Sequence, residues 1–321
     1  MENEFSNGAW NYTTLSDGTA AITGYTGNDT KIVIPNEIDG LTVTEIASRA
    51  FINNEDIAAV TIPDTVKIIG KSAFYGCCCL NEIVIPETVE EIGEGAFHDC
   101  GCLADDNGFV IVHNVLYDYF GDAETVIVPH GVETIGFCCF EKNEKIKEVI
   151  LPDSVNKIKS SAFSNCEELQ RVKLPSALKE IDGCAFFNCC DLEDMIIPET
   201  VEKIGSGAFY CCSGLADENG FVIFNNVLHG YFGSAKTVTV PAGIETIDNG
   251  CFSECTTLRK VILPDSVRKI GYNAFDSCRH LKLVKIPDSE CEIDGYIIRA
   301  LPSHVECEID GYIFILHYPE Q

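Results

Sequence analysis

The 321-residue chain has little positive charge: 22 Lys and Arg stand against 50 Asp and Glu, a formal net charge of −28. That balance repels phosphate backbones and anionic lipid headgroups alike, so neither nucleic acid nor direct membrane contact is expected. Long apolar runs are missing as well. No stretch approaches the roughly 18 residues of a membrane span, and the opening MENEFSNGAWNY has neither a basic n-region nor an apolar h-region. The chain as it stands therefore reads as carrying neither leader nor anchor. Its home is the cell surface or the medium if a leader was removed, and the cytoplasm otherwise. Catalytic signatures are also lacking: there is no GxSxG, phosphate loop or HExxH. The seven histidines, at 98, 113, 130, 229, 280, 304 and 317, share no common spacing. A nucleophile needs a base within hydrogen-bond reach, and no Cys and His pair is placed so by the sequence. The expectation is a noncatalytic chain that needs no cofactor.

Proline is sparse but regular. Ten of the 12 fall at Pro35, Pro63, Pro86, Pro129, Pro152, Pro175, Pro198, Pro241, Pro264 and Pro287, in steps of 28, 23, 43, 23, 23, 23, 43, 23 and 23. The unit is 23 residues, and self-similarity at such a period points to a stacked repeat. Counting from each proline as zero, position +6 is isoleucine in all eight units from Pro63 to Pro264, Ile69 through Ile270. Position +11 is phenylalanine in the same eight, Phe74 through Phe275, and +17 is Leu or Ile. The two 43-residue steps hold near-copies, ADDNGFVIVHNVLYDYFGDAET at 104–125 and ADENGFVIFNNVLHGYFGSAKT at 216–237, offset by 112. Each reads as a hairpin whose turn, His113-Asn114 or Asn225-Asn226, tolerates positive φ. Residues 16–35 look like a third copy.

A short alternating run precedes each proline, which then removes the next backbone donor, so a brief strand is predicted there. A second short strand is expected near +4 to +7, and a 3₁₀ turn around Ala-Phe. One such unit cannot bury its Ile, Phe and Leu; stacked units bury them against each other, as parallel strands about 4.8 Å apart.

Segments such as VTIPDTVKIIGKSAFYGCCCL at 60–80 and VILPDSVRKIGYNAFDSCRHL at 261–281 resemble the leucine-rich repeats of BspA-like surface proteins over roughly residues 20–288. The resemblance implies a right-handed leucine-rich-repeat solenoid, rich in β structure, with a concave parallel sheet and two hairpin insertions. It also implies adhesion, host matrix proteins being among the partners. The expected domains are an N-terminal β cap at 1–34, a solenoid of about ten coils at 35–288 and a C-terminal cap at 289–321. Within the cap, ECEIDGYI recurs at 290–297 and 306–313. Cys291 and Cys307 occupy matching places there and are the expected disulfide pair.

Cysteine is abundant, at 18 residues. Position +14 holds it in seven of eight units, Cys77, Cys100, Cys166, Cys189, Cys212, Cys255 and Cys278, with Asn143 in the eighth. Leucine-rich repeats place Asn or Cys at an inward turn position, where a small polar group satisfies backbone groups. These seven are read as a structural ladder. Cys139 and Cys251 replace alanine at +10 as compact hydrophobes. Cys78, Cys79, Cys102, Cys138, Cys184, Cys190 and Cys211 fall off the ladder, in turns. The candidate zinc set is His98, Cys100 and Cys102, short of a fourth ligand and with Cys100 already claimed. Free thiols fit a reducing compartment or a thiol-rich anaerobic source.

If proline −3 and −1 point inward, then −2 points out: Thr61, Val84, Ile127, Ile150, Lys173, Ile196, Thr239, Ile262 and Lys285. This apolar-rich row, on a surface expected to be otherwise acidic, is the candidate contact for a protein or peptide. Glu82, Glu148, Arg171, Asp194 and Lys260 at −4 would rim it. The reading is a noncatalytic protein-binding module, an adhesin or host-interaction protein. The alternatives are an intracellular interaction scaffold and a cysteine-dependent metal or redox protein.

Overall fold

A computed structural model describes residues 4–193 and 195–285, and the backbone of strands at 292–293, 306–309 and 312–315. The chain forms a β-solenoid of short strands with almost no helix. It divides into two compact units. One comprises Met1–Ala123, Pro129–Phe140 and Ser154–Ala162; the other comprises Glu124–Val128, Glu141–Asp153 and Phe163–Gln321. No helix among the described residues is long and apolar enough to cross a membrane.

Most coils contribute one strand at −4 to −2 and a second, only two residues long, at +5 and +6; in the Pro198 coil Met195 and Ile196 are not in a strand. In the first unit Lys31–Val33, Ala59–Thr61 and Glu82–Val84 pair in parallel and in register. The strands Leu41–Ile46, Ile68–Ile69 and Glu91–Ile92 form the companion ladder. In the second unit the −4 to −2 strands make two sheets. One joins Thr125–Ile127, Glu148–Ile150 and Arg171–Lys173; the other joins Thr237–Thr239, Lys260–Ile262 and Leu283–Lys285 and continues into Glu306–Ile309 and Tyr312–Ile315. A step of 23 residues leaves the register unshifted, so like positions stack on like.

The core is the +11 phenylalanine column. Phe51, Phe74 and Phe97 lie face to face at 4.9 and 5.5 Å, with interplanar angles of 0° and 6°. Phe163, Phe186 and Phe209 repeat the arrangement at 5.0 and 5.6 Å in the second unit. The +6 isoleucines pack beside them, and Ile69, Ile135, Ile181 and Ile247 are fully buried.

The 3₁₀ turn expected around Ala-Phe forms, but it does not extend into a 3₁₀ helix. Single i→i−3 bonds occur instead, such as Ala73 N to Gly70 O and Cys77 N to Phe74 O. They alternate with bonds to the next coil, such as Phe74 N to Ala96 O at 2.9 Å. The reason lies in the backbone: residues at +9 and +13 are left-handed in every proline-led unit, from Ser72 and Gly76 to Asn273 and Ser277, with φ between 53° and 72°. A left-handed residue on each side of Ala-Phe breaks any helical run. The 3₁₀ helices sit elsewhere, at Gly101–Leu103 and Ser213–Leu215, where the chain leaves a coil for a hairpin.

Both hairpins form with the turns read from sequence, His113-Asn114 at φ 47° and 62° and Asn225-Asn226 at 48° and 61°. Their second strands, Val115–Tyr119 and Val227–Tyr231, pair in parallel with Thr134–Ile135 and Thr246–Ile247 and so take the place of a coil's second strand. The N-terminal segment does the same: Trp10–Thr14 and Ala20–Tyr25 are antiparallel, and the latter runs parallel to Leu41–Ile46. Asp194 and the Cys291 and Cys307 side chains lie outside the described residues.

Candidate functional site

The alternation expected of the −4 to −2 strands puts Val60, Val126, Val149, Val172, Val238, Val261 and Val284 in the core. Of the outward row, Thr61, Lys173, Thr239 and Lys285 are exposed. Val84, Ile127 and Ile196 are exposed to 50%, 66% and 82%, unusual for branched apolar side chains. Ile150 and Ile262 are half-buried. A cleft of about 520 Å³ opens beside Lys173 and Ile196, walled by Glu148, Arg171, Ser176 and Pro198.

The surroundings of the row are not uniformly acidic. On the sheet 237–239, 260–262 and 283–285, Lys260 and Lys285 accompany the row, and Lys236, Arg259 and Lys282 lie exposed one residue before each strand. Periodicity alone missed this because the acidic total hides a local cluster. Three cations at proline −5 in consecutive units are the signal that finds it.

At +14 the thiols turn inward. Cys77 Sγ donates to Phe51 O at 3.1 Å, Cys100 to Phe74 O at 3.1 Å, Cys189 to Phe163 O at 3.1 Å, Cys212 to Phe186 O at 2.9 Å and Cys278 to Phe252 O at 2.9 Å. Cys166 is buried at the same offset. Cys255 follows a hairpin and reaches Tyr231 O at 3.6 Å. Burial pushes the Cys77 thiol up to about 11 and the Cys166 and Cys212 thiols up to about 12. A thiolate at these positions would be a charge in the core, so they are donors and not nucleophiles. Asn143 solves the same problem differently, its Oδ1 accepting from the N–H groups of Lys145 and Ile146 at 3.0 Å each.

The zinc grouping of His98, Cys100 and Cys102 does not assemble: Cys100 is engaged with Phe74 O and Cys102 is exposed. His98 meets carboxylates instead. Its Nδ1 lies 3.1 Å from Asp118 Oδ2 and its Nε2 4.0 Å from Asp99 Oδ2. Burial alone would push the His98 imidazolium down. The hydrogen bond and charge of Asp118, with the charge of Asp99, outweigh it and hold the pKa above the ordinary histidine value. The second hairpin carries the same kind of pair on different positions. There the buried His229 meets Asp248 Oδ2 through Nδ1 at 2.9 Å. Asp248 also accepts from Ser206 Oγ at 3.0 Å and from the N–H groups of Gly207 at 3.1 Å and Asn249 at 2.7 Å. Burial works to raise the Asp248 pKa, but these donors hold it below the usual carboxylate value. Asp248 stands at +7, where Gly70, Gly93, Gly136, Gly205 and Gly271 stand in other coils. Beside this pair a slot of about 360 Å³, reached by Tyr210, Phe232 and Glu254, marks where the hairpin supplies no Ala-Phe turn.

Solved structures similar to the chain include a leucine-rich cell surface protein from Faecalibacterium prausnitzii, 26% identical, covering 90% of this chain and 83% of that one at a TM-score of 0.43. A leucine-rich repeat protein from Bacteroides ovatus is 24% identical, with coverages of 88% and 82% and a TM-score of 0.44. The leucine-rich repeat protein of T. pallidum is 23% identical, with coverages of 87% and 91% and a TM-score of 0.25. No curated protein sequence matches. The family model for the BspA type leucine rich repeat region matches in six copies over residues 3–107, 110–227 and 222–309. With the IP, IG, AF and Cys positions now placed in stacked coils, and with most of its length matched, the chain belongs to the BspA-type leucine-rich-repeat family.

Proposed function

We propose that the chain is a noncatalytic protein-binding module of the cell surface, an adhesin or host-interaction protein, whose outward strand row takes a protein or peptide ligand. The observation that carries this reading is the exposure of Val84, Ile127 and Ile196, with Ile127 lying between Val126 and Val128, both in the core. Branched side chains suit a strand but gain nothing from burial when left in water, and an apolar row with a polar border is what a protein contact uses. The cleft at Lys173 and Ile196 offers an anchor pocket within the row. Family membership supports the same class of function, since stacked leucine-rich repeats are interaction modules.

The test is capture on a panel of immobilised extracellular-matrix proteins, comparing the parent chain with the Ile127→Asp, Ile150→Asp, Ile196→Asp variant. Capture by the parent and its loss in the variant, with the far-UV spectrum and melting unchanged, is the expected result. Equal capture by both would remove the row from the binding surface.

A further inference from the structure

The two hairpin-bearing segments repeat at an offset of 112 residues, so each strand of one sheet in the second unit has a counterpart in the other. At the residue preceding each strand, the first sheet has Glu124, Lys147 and Gln170, and the second has Lys236, Arg259 and Lys282. In the first, neighbours carry opposite charge, and Lys147 Nζ lies 3.0 Å from Glu124 Oε1. In the second the column is all cationic. The three residues are adjacent rungs, Arg259 N bonding Lys236 O and Lys282 N bonding Arg259 O, each at 2.8 Å. Their backbones are therefore about 4.8 Å apart, as in any parallel ladder. Like charges stacked in register repel. Among the described residues no carboxylate lies within ion-pair distance of Lys236, Arg259 or Lys282, although the chain has 50 acids to supply one. The strands themselves carry Lys260 and Lys285 with Thr237, Thr239 and Ile262, and the sheet continues into Glu306–Ile309, parallel to Leu283–Lys285. Asp265 follows in the loop beyond the strand.

We infer that this sheet binds an acidic polypeptide segment, the carboxylates lying along Lys236, Arg259 and Lys282 and an apolar residue on Ile262. The inference rests on the reading of the chain as a protein-binding module and adds the chemistry of the partner. Like charges stacked in register cost stability in the free protein, and an anion laid across them relieves that cost. The net charge of −28 does not oppose this. At 0.1 M salt the screening length is about 10 Å, so a ligand on the ladder feels chiefly the three stacked cations, Lys236, Arg259 and Lys282.

The probe is a fluorescein-labelled oligoglutamate of 15 residues, titrated with the whole chain and read by anisotropy, with oligolysine of the same length as control. Saturable oligoglutamate binding is expected, weakening at least tenfold in the Lys236→Glu, Arg259→Glu, Lys282→Glu variant and again as salt rises. The neutral Lys236→Gln, Arg259→Gln, Lys282→Gln variant should fall between the two, which guards against misfolding as the cause. Binding unchanged by charge reversal would overturn the inference. So would a sulfated oligosaccharide that binds the ladder while oligoglutamate does not, since the site would then belong to glycans. The Ile127→Asp, Ile150→Asp, Ile196→Asp variant should retain oligoglutamate binding, so failure of the apolar row and failure of the cationic ladder are read separately.

Discussion

Cys189 and Asn143 occupy the same offset and meet the same need with different atoms. The thiol donates across to the carbonyl of the preceding coil's phenylalanine, and the amide oxygen accepts from two N–H groups of its own turn. Replacing Cys189 by Ala removes one of two donors to the Phe163 carbonyl, leaving the Cys166 N–H at 3.2 Å, and should destabilise by about 0.5–1.5 kcal/mol, read as a lower urea midpoint. Reactivity divides the cysteines in the same way. Ellman's reagent at pH 8 should modify the exposed Cys78, Cys79 and Cys102 first and leave Cys77, Cys166 and Cys212 untouched until the chain unfolds. Rapid reaction of all of them in the folded protein would show that the coils open readily. Cys138, Cys184 and Cys211 looked scattered in the sequence. They fall on the left-handed +9 and +13 positions, which accept many unbranched residue types and so leave no repeated letter.

At the scale of the coil, the glycine after Ile is a question of space. A Cβ on Gly93 would lie 2.4 Å from Lys71 N, and one on Gly70 2.4 Å from Ser48 N, in both cases the backbone of the adjacent coil. Gly93→Ala should therefore push apart the strands Ile68–Ile69 and Glu91–Ile92 and lower stability by about 1–3 kcal/mol. The left-handed positions predict the opposite sign. Glu254, at φ 60°, holds a conformation that costs a residue with a Cβ about 1 kcal/mol, and Glu254→Gly should raise the melting temperature. Strand positions, hairpin turns and the inward columns were legible because each repeats. The turns around Ala-Phe were legible as turns, but their left-handed residues at +9 and +13 were not, since positive φ there leaves little trace in residue type.

Across the molecule, each unit carries one His–Asp pair at its hairpin, and the two respond to opposite ends of the pH scale. The His98 pKa is raised on folding. Its stabilisation is complete below the unfolded value of about 6.5 and is lost as pH rises through the folded value. The Asp248 pKa is lowered, so its contribution is complete above about 3.9 and is lost as pH falls through the folded value. Asp118→Asn should therefore cost more at pH 6 than at pH 9. Asp248→Asn should cost about 1.5–3 kcal/mol at pH 7 and less near pH 3. Urea midpoints across pH check both, and a pH-independent loss in either variant would mean the pair is held for shape and not for charge.

The sequence alone determined the solenoid, its 23-residue register, the hairpins and the inward Ile, Phe and Cys columns. Burial in a stacked repeat acts on every coil alike and so writes the same letter at the same offset. What only the tertiary structure decided is how residues far apart in the chain meet: His98 with Asp118, His229 with Asp248, and Lys236, Arg259 and Lys282 as one exposed column. The two His–Asp pairs each occur once, on a single hairpin, so no period announces them; the three cations do recur at 23 residues, but only their stacking makes them neighbours. A composition of −28 argues against a cationic surface until the strands are set side by side. Charge interacts through space, and the spacing of these groups is set by the stacking of strands rather than by their separation along the chain.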